Sequence, residues 1–270
     1  MSGSGNDFII VDNRDKIVDE TDLLNFIVKV CRRKMSVGAD GLILVENTKG
    51  ADFKWRFFNS DGSAAEMCGN GARCVARFAY LNGIAGPKMS FETGAGIVEA
   101  QVAGESVKIK MTDPLDLKTD YTLELKDRSI SVSSINTGVP HVVIVITDTL
   151  DDVEVVKIGR EIRFHPMFAP AGTNVNFICS ITDDTIGIRT YERGVEDETL
   201  ACGTGSVAGA LIMARKMKVD VPINVLTRSG GHLKIYYTER DATFQDIYLE
   251  GDARIIYRAK LFEDAWKDNL

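Results

Sequence analysis

The phrase Cys-Gly-polar-Gly occurs twice, within "EMCGNGARC" (Glu66–Cys74) and "LACGTGSVAG" (Leu200–Gly209). Each copy runs into a segment that is small or apolar over most of its length, "GARCVARFAYL" (Gly71–Leu81) and "GSVAGALIMARKM" (Gly205–Met217). A helix with so little polar surface belongs inside a core. After each helix the sequence predicts a strand, a glycine turn ("FETGAG", Phe91–Gly96; "TRSGG", Thr227–Gly231) and a further pair of strands. A chain that writes this order twice predicts a duplicated α+β fold. Two pseudo-symmetric lobes are expected, each a curved, mostly antiparallel sheet wrapped around a central helix, with the active site in the interlobe cleft. The N-terminal lobe is expected over residues 1–112 plus 254–270 and carries Cys68; the C-terminal lobe is expected over 113–253 and carries Cys202. The charged, Pro-containing stretch Thr112–Leu117 is the expected crossover.

Runs rich in β-branched and aromatic residues, bounded by Gly, Asp or Asn, supply the strands. They are Phe8–Asp12, Gly41–Glu46, Phe53–Asn59, Val107–Met111, His141–Thr147, Asn174–Ile181, Ile186–Glu192, Ile223–Thr227, His232–Thr238 and Ala253–Leu261. Leu23, Leu24, Ile27, Val30 and Cys31 fall on one helical face, and Asp151–Arg163 is a weaker amphipathic helix.

The net charge of −7 opposes nonspecific binding to nucleic acid or to an anionic membrane. No apolar run approaches the roughly 20 residues of a spanning helix, and the start lacks a signal peptide's regions. A cytoplasmic protein is expected. The five cysteines show no C-x-x-C spacing, which argues against a metal site and leaves thiols as the default.

Cys31, Cys74 and Cys179 lie within apolar helices or strands and read as small hydrophobes. Cys68 and Cys202 instead open a helix, each followed by glycine. The exposed N–H groups and positive dipole end there favour a thiolate and an anion beside it. A carbon held between two such thiols could lose a proton from one face and regain one on the other, inverting a stereocentre without a cofactor. The substrate's own carboxylate would stabilise the carbanion.

The blocks "GSGNDF" (Gly3–Phe8), "NSDGSAAEMCGNGARC" (Asn59–Cys74), "PH" (Pro140–His141), "GTNVNF" (Gly172–Phe177) and "YERGVEDETLACGTG" (Tyr191–Gly205) resemble, in order, the signature blocks of the diaminopimelate epimerase family. The resemblance spans nearly the whole chain. It implies a pyridoxal-independent epimerisation of LL-2,6-diaminoheptanedioate to the meso form, in lysine and peptidoglycan precursor synthesis, with no cofactor and no metal. It implies Cys68 and Cys202 as the acid–base pair. Gly69, Asn70, Gly203 and Thr204 would serve the carboxylate at the reacting centre. Asn6, Asn59, Asn174, Glu192 and Arg193 would hold the distal amino acid group, and His141 and Glu192 would tune the thiols or orient the reacting ammonium. The expected partner is a small-molecule amino acid, and the family often forms homodimers. His165 and His232 lie in no such block.

The chain departs from the family at two places. Few residues precede Gly3, so either the sequence begins too late or the first strand is clipped; and Val139 stands where many members have Asn, so one hydrogen bond to substrate is missing or replaced. The alternative is another amino acid racemase or isomerase of the same fold, with Glu192–Arg193 as the discriminating pair. A redox or metal-binding module, and a non-catalytic β-rich binding protein, are the readings from other classes. The first lacks ligand spacing, and the second has no use for two glycine-flanked thiols.

Overall fold

The structure is a computed structural model and describes residues 1–217 and 219–267. The chain divides into two compact units, Met1–Ile109 with Gly251–Leu270 and Lys110–Glu250.

The first unit opens on β1 (Ser2–Gly3), which turns back at once onto β2 (Asn6–Asp12). Gly3 pairs with Asn6, and the two residues between them, Ser4 and Gly5, have φ of 52° and 99°. Positive φ at both central residues gives the type I′ hairpin, whose twist suits the flanking strands. Next, α1 (Leu23–Cys31) crosses over to β3 (Gly41–Glu46), which runs parallel to β2. A parallel pair needs such a crossover. Antiparallel β4 (Phe53–Asn59) and the short β5 (Ala64–Ala65) follow, and then α2 (Gly69–Leu81). The meander β6 (Lys88–Thr93), β7 (Gly96–Ala103) and β8 (Ser106–Lys110) joins the sheet where β6 runs parallel to β4.

The second unit begins with the hairpin β9 (Leu115–Glu124) and β10 (Ser129–Asn136). Against β10 lies β11 (Pro140–Val145); α3 (Val155–Arg163) then crosses to the parallel strand β12 (Asn174–Ser180). Antiparallel β13 (Thr185–Glu192) and short β14 (Asp197–Thr199) lead to α4 (Gly203–Lys216). The unit closes with β15 (Ile223–Leu226), parallel to β13, and the hairpin β16 (His232–Arg240) and β17 (Thr243–Asp252). Each unit therefore contains the same order: strand, helix, parallel strand, two antiparallel strands, cysteine, buried helix, three strands. The α+β class follows. The repeated helices are largely enclosed. Gly205–Met213 of α4 is buried without interruption, and the helix packs on β10–β13, β15 and β16. Likewise, α2 packs on β1, β2, β3 and β7.

Three expectations shift. The run Ala253–Leu261 is not a strand: β17 ends at Asp252, and Arg254 makes only an isolated bridge with Ser2. β-Branched composition describes a fit to a pleated surface and cannot say whether a sheet edge is available. Thr112–Leu117 is a connection only in part, because β9 begins at Leu115. Leu24, assigned to the buried face of α1, is 63% exposed, whereas Leu23, Ile27, Val30 and Cys31 are buried as a stripe. Among the described residues no helix is long and apolar enough to cross a membrane.

Candidate active site

In the first unit Cys68 is the N-cap of α2, with extended backbone (φ −147°, ψ 117°). Its carbonyl accepts the first helical bond, from Ala72 N at 2.8 Å. Gly69 and Asn70 form the first turn. Asn70 Nδ2 donates to Asn6 Oδ1 at 2.7 Å, and Asn6 Nδ2 donates to Asp40 Oδ2 at 3.0 Å. The structure thus joins Asn6 to Asn70 beside the cysteine-capped helix end. Asn59 lies at the exposed end of β4, where Nδ2 donates to Ser63 Oγ at 3.0 Å. The neighbouring Ser60 N donates to Asp40 O at 3.0 Å, tying this turn to the strap that holds Asn6.

The second unit builds the same device. Cys202 is the N-cap of α4 (φ −118°, ψ 115°), and its carbonyl accepts from Ser206 N at 2.9 Å. Its sulfur accepts from Gly205 N at 3.4 Å and lies 3.5 Å from Thr204 Oγ1. Gly205 has to be glycine, because a Cβ there would stand 2.4 Å from Asn176 Oδ1. Thr137 Oγ1 donates to the carbonyl of Thr204 at 3.0 Å and anchors the turn that carries Val139 to the first turn of α4.

His141 and Asn174 are register partners on β11 and β12. Asn174 spans three elements: Nδ2 donates to Pro140 O at 3.2 Å, and Oδ1 accepts from Arg193 N at 2.9 Å. Arg193 begins the turn between β13 and β14, and its Nη1 donates to Ala171 O at 3.3 Å. That turn passes through Gly194 and is held by Glu196, which accepts from Gly194 N and from Arg163 Nε at 3.1 Å each. Burial pushes the Glu192 carboxyl up from the ordinary glutamate range, and the nearby Thr199 hydroxyl opposes the shift. A carboxylate stripped of water in this way is a receptor for a cation.

His141 is buried, and burial, followed by the Arg193 cation, lowers its pKa to about 3. Its tautomer is fixed by Asn176, whose Nδ2 donates to Val142 O at 2.9 Å while its Oδ1 accepts from Thr190 Oγ1 at 3.0 Å. Nδ2, now identified as the donor end, lies 3.1 Å from His141 Nδ1. The imidazole proton therefore sits on Nε2, which has no partner among the described residues. The ring is a neutral donor and not a source of positive charge.

Burial pushes the Cys31 and Cys74 thiols up to about 11 and about 12. Cys179 lies on β12. His165 caps a short 3-10 turn and His232 is exposed. Among the described residues no group of three or more His, Cys, Asp or Glu could hold a metal ion. Asn176, Thr137 and Arg73 escaped the sequence reading. The alternation of Asn174 and Asn176 along one strand was the available signal for the first, whereas the other two depend on tertiary partners.

The family model for diaminopimelate epimerase matches residues 1–116 and 133–256. The chain belongs to the diaminopimelate epimerase family. It is 46% identical to a diaminopimelate epimerase of Aquifex aeolicus, covering 98% of this chain and 97% of that one. The identity to a diaminopimelate epimerase of Archaeoglobus fulgidus is 44%, over 95% and 93% of the two chains. Among solved structures, a phenazine biosynthesis protein of the PhzF family from Bacillus anthracis superposes with a TM-score of 0.71 at 18% identity, covering 93% of this chain and 92% of that one. A probable proline racemase from Agrobacterium radiobacter gives 0.65 at 17% identity, over 98% and 96%. These last two likenesses concern the fold.

Proposed function

We propose that this member of the family epimerises LL-2,6-diaminoheptanedioate to the meso form, a step of lysine biosynthesis, with Cys68 and Cys202 as its acid and base. The observation that carries the reading is the duplicated device: in each unit a cysteine caps a buried helix whose first turn is Gly-polar-Gly. One thiolate takes the α-proton. The electron pair moves into the adjacent carboxylate, which rests against the N–H groups of the helix ends. The other thiol then delivers its proton to the opposite face. The C–H bond broken on one side is replaced on the other, nothing is oxidised or reduced, and the two sulfurs have exchanged protonation states. Helix-end donors contribute most where negative charge grows in the transition state.

Glu192 and Arg193 give the substrate's second amino acid end a carboxylate and a guanidinium, with Asn6, Asn59 and Asn174 as supporting donors and acceptors. His141, neutral with its proton on Nε2, fits as a hydrogen-bond donor to the bound substrate. The decisive experiment incubates the purified protein with LL-diaminoheptanedioate in D₂O. Deuterium should enter the α-position as the meso isomer appears. Turnover of proline with none of diaminoheptanedioate would favour a simpler racemase of the same fold.

A further inference from the structure

Arg73 is a fully buried cation, and its hydrogen-bond partners are all neutral. Nη2 donates to Ser4 Oγ at 2.7 Å and to Asn70 Oδ1 at 3.0 Å; Nε and Nη1 reach the carbonyls of Asp252 and Gly69 at 3.3 and 3.4 Å. Burying a guanidinium without a paired carboxylate is costly, so its presence in the second turn of α2 calls for a reason. In the second unit, alignment of Cys68 with Cys202 places the buried Val207 at this position and Thr204 opposite Asn70. The helix packing therefore does not itself demand a cation.

The reason lies in the chain of bonds it starts. Arg73 donates to Asn70 Oδ1, Asn70 Nδ2 donates to Asn6 Oδ1, and Asn6 Nδ2 donates to Asp40 Oδ2. A guanidinium can only donate and an ionised carboxylate can only accept. With these two groups at its ends the chain has one allowed sense. Turning either amide over would set N–H against N–H at one junction and oxygen against oxygen at another. Asp40 is itself fixed by Arg33 Nη2 at 2.8 Å. Burial lowers the pKa of Arg73, and the Cys74 and Cys68 thiols and the Asp252 carboxylate, which pairs with Arg254, are near enough to oppose that shift without bonding to the guanidinium.

We propose that Arg73 is a positioning residue: through Asn70 it holds the amides of Asn70 and Asn6 in the one orientation that offers their remaining N–H groups to the substrate, Asn70 toward the carboxylate at the reacting centre and Asn6 toward the distal amino acid group. This rests on the epimerase reading of the site. In a flipped state an amide oxygen would face the carboxylate and repel it. Ser4, placed by the type I′ turn, is the second anchor that keeps the guanidinium from following Asn70 if it moves.

The test uses the full chain. Arg73→Met keeps bulk and removes the donor; Arg73→Lys keeps a donor-only cation. Misplacement of a binding group can cost about 100-fold. Arg73→Met should therefore lower kcat/KM for diaminoheptanedioate about 10- to 100-fold, mainly through KM, and Arg73→Lys should recover part of the loss. Asp40→Asn, at the more exposed end of the chain, removes the acceptor-only terminus and should raise KM in the same way should Arg73→Met not fold. The side-chain amide signals of Asn6 and Asn70 in ¹⁵N-labelled protein, each distinct in the wild type, should shift and broaden in these variants. A folded Arg73→Met enzyme with wild-type KM and unchanged amide signals would overturn the proposal, as would Met and Lys variants that perform alike. If the wild type itself fails to turn over diaminoheptanedioate, the functional reading falls, and the amide signals still test the chain.

Discussion

His141 shows how one residue's surroundings decide what it can do. Its pKa of about 3 in the folded state lies below the roughly 6.5 of an unfolded chain. Between those values the unfolded state binds more protons, so stability rises with pH. The contribution is complete above about 6.5 and is lost as pH falls toward 3, with a slope approaching 1.4 kcal/mol per pH unit. Urea unfolding at pH 7.5, 6 and 5 should show this slope in the wild type and a flatter one in His141→Gln; equal slopes would mean that the ring is charged or solvated. The two helix-capping thiols are a different case. Cys68→Ala and Cys202→Ala should each cut epimerisation by at least about 10²–10⁴-fold, the usual share of a general acid or base, while Cys31→Ala stays active once folded. Near-normal turnover in either of the first two would end the two-thiol mechanism. The cysteine pair was legible because a motif announces itself by local spacing. Thr137 and Arg73 were not, since each gets its role from partners far along the chain, Thr204 for one and Ser4 for the other.

The same contrast holds between elements. Gly41–Glu46 and Phe53–Asn59 have the bounds that their apolar composition and turn residues suggested. Thr243–Asp252 is absent from the predicted strands: its buried Phe244, Ile247 and Leu249 are spaced by three and then by two, and the register shift against β16 breaks the period-2 signal. Ala253–Leu261 was over-read for the opposite reason: Ile256 and Tyr257 look like strand, yet they are 58% and 55% exposed and paired with nothing in a ladder. Packing around the glycines of α4 could not be read in advance either, and it separates two substitutions that look alike on paper. In Gly209→Ala the new Cβ meets Ile178 Cγ2 at 3.0 Å, an apolar squeeze that should cost about 1–3 kcal/mol of stability and leave kinetics intact. In Gly205→Ala it meets Asn176 Oδ1 at 2.4 Å and Cys202 Sγ at 3.3 Å. That methyl should displace both the clamp on His141 and the N–H aimed at the sulfur. A fall in kcat of tenfold or more is expected, well beyond the change in stability. Equal kinetics in the two variants would show that the first turn of α4 does not set the Cys202 environment.

At the scale of the whole chain, the two units are closed in different ways. The second is one continuous stretch, and a core of Leu123, Val142, Ile144, Ile162, Val175 and Phe177 lies entirely within it. The first is completed only when the chain returns. Ser2 and Arg254 exchange backbone bonds of 2.8 and 2.7 Å, Ala253 N donates to Glu105 O at 3.0 Å, and Ser36 Oγ donates to Ala265 O at 2.8 Å. Trp266 meets Phe26 edge-on at 5.3 Å between ring centroids. Two buried or nearly buried arginines depend on the same return: Arg73 donates to the carbonyl of Asp252 and Arg77 to that of Ala253. Without residues 251–267 those guanidinium N–H groups lose acceptors inside the protein, where an unmet donor is expensive. The fragment Lys110–Glu250 should therefore unfold cooperatively in urea, with the circular dichroism of a β-rich protein. Met1–Ile109 alone should be expanded and bind a hydrophobic dye, and adding Gly251–Leu270 through a short glycine-rich linker should restore a sharp transition. A cooperative transition in Met1–Ile109 without the added segment would show that the returning chain decorates the first unit and does not complete it.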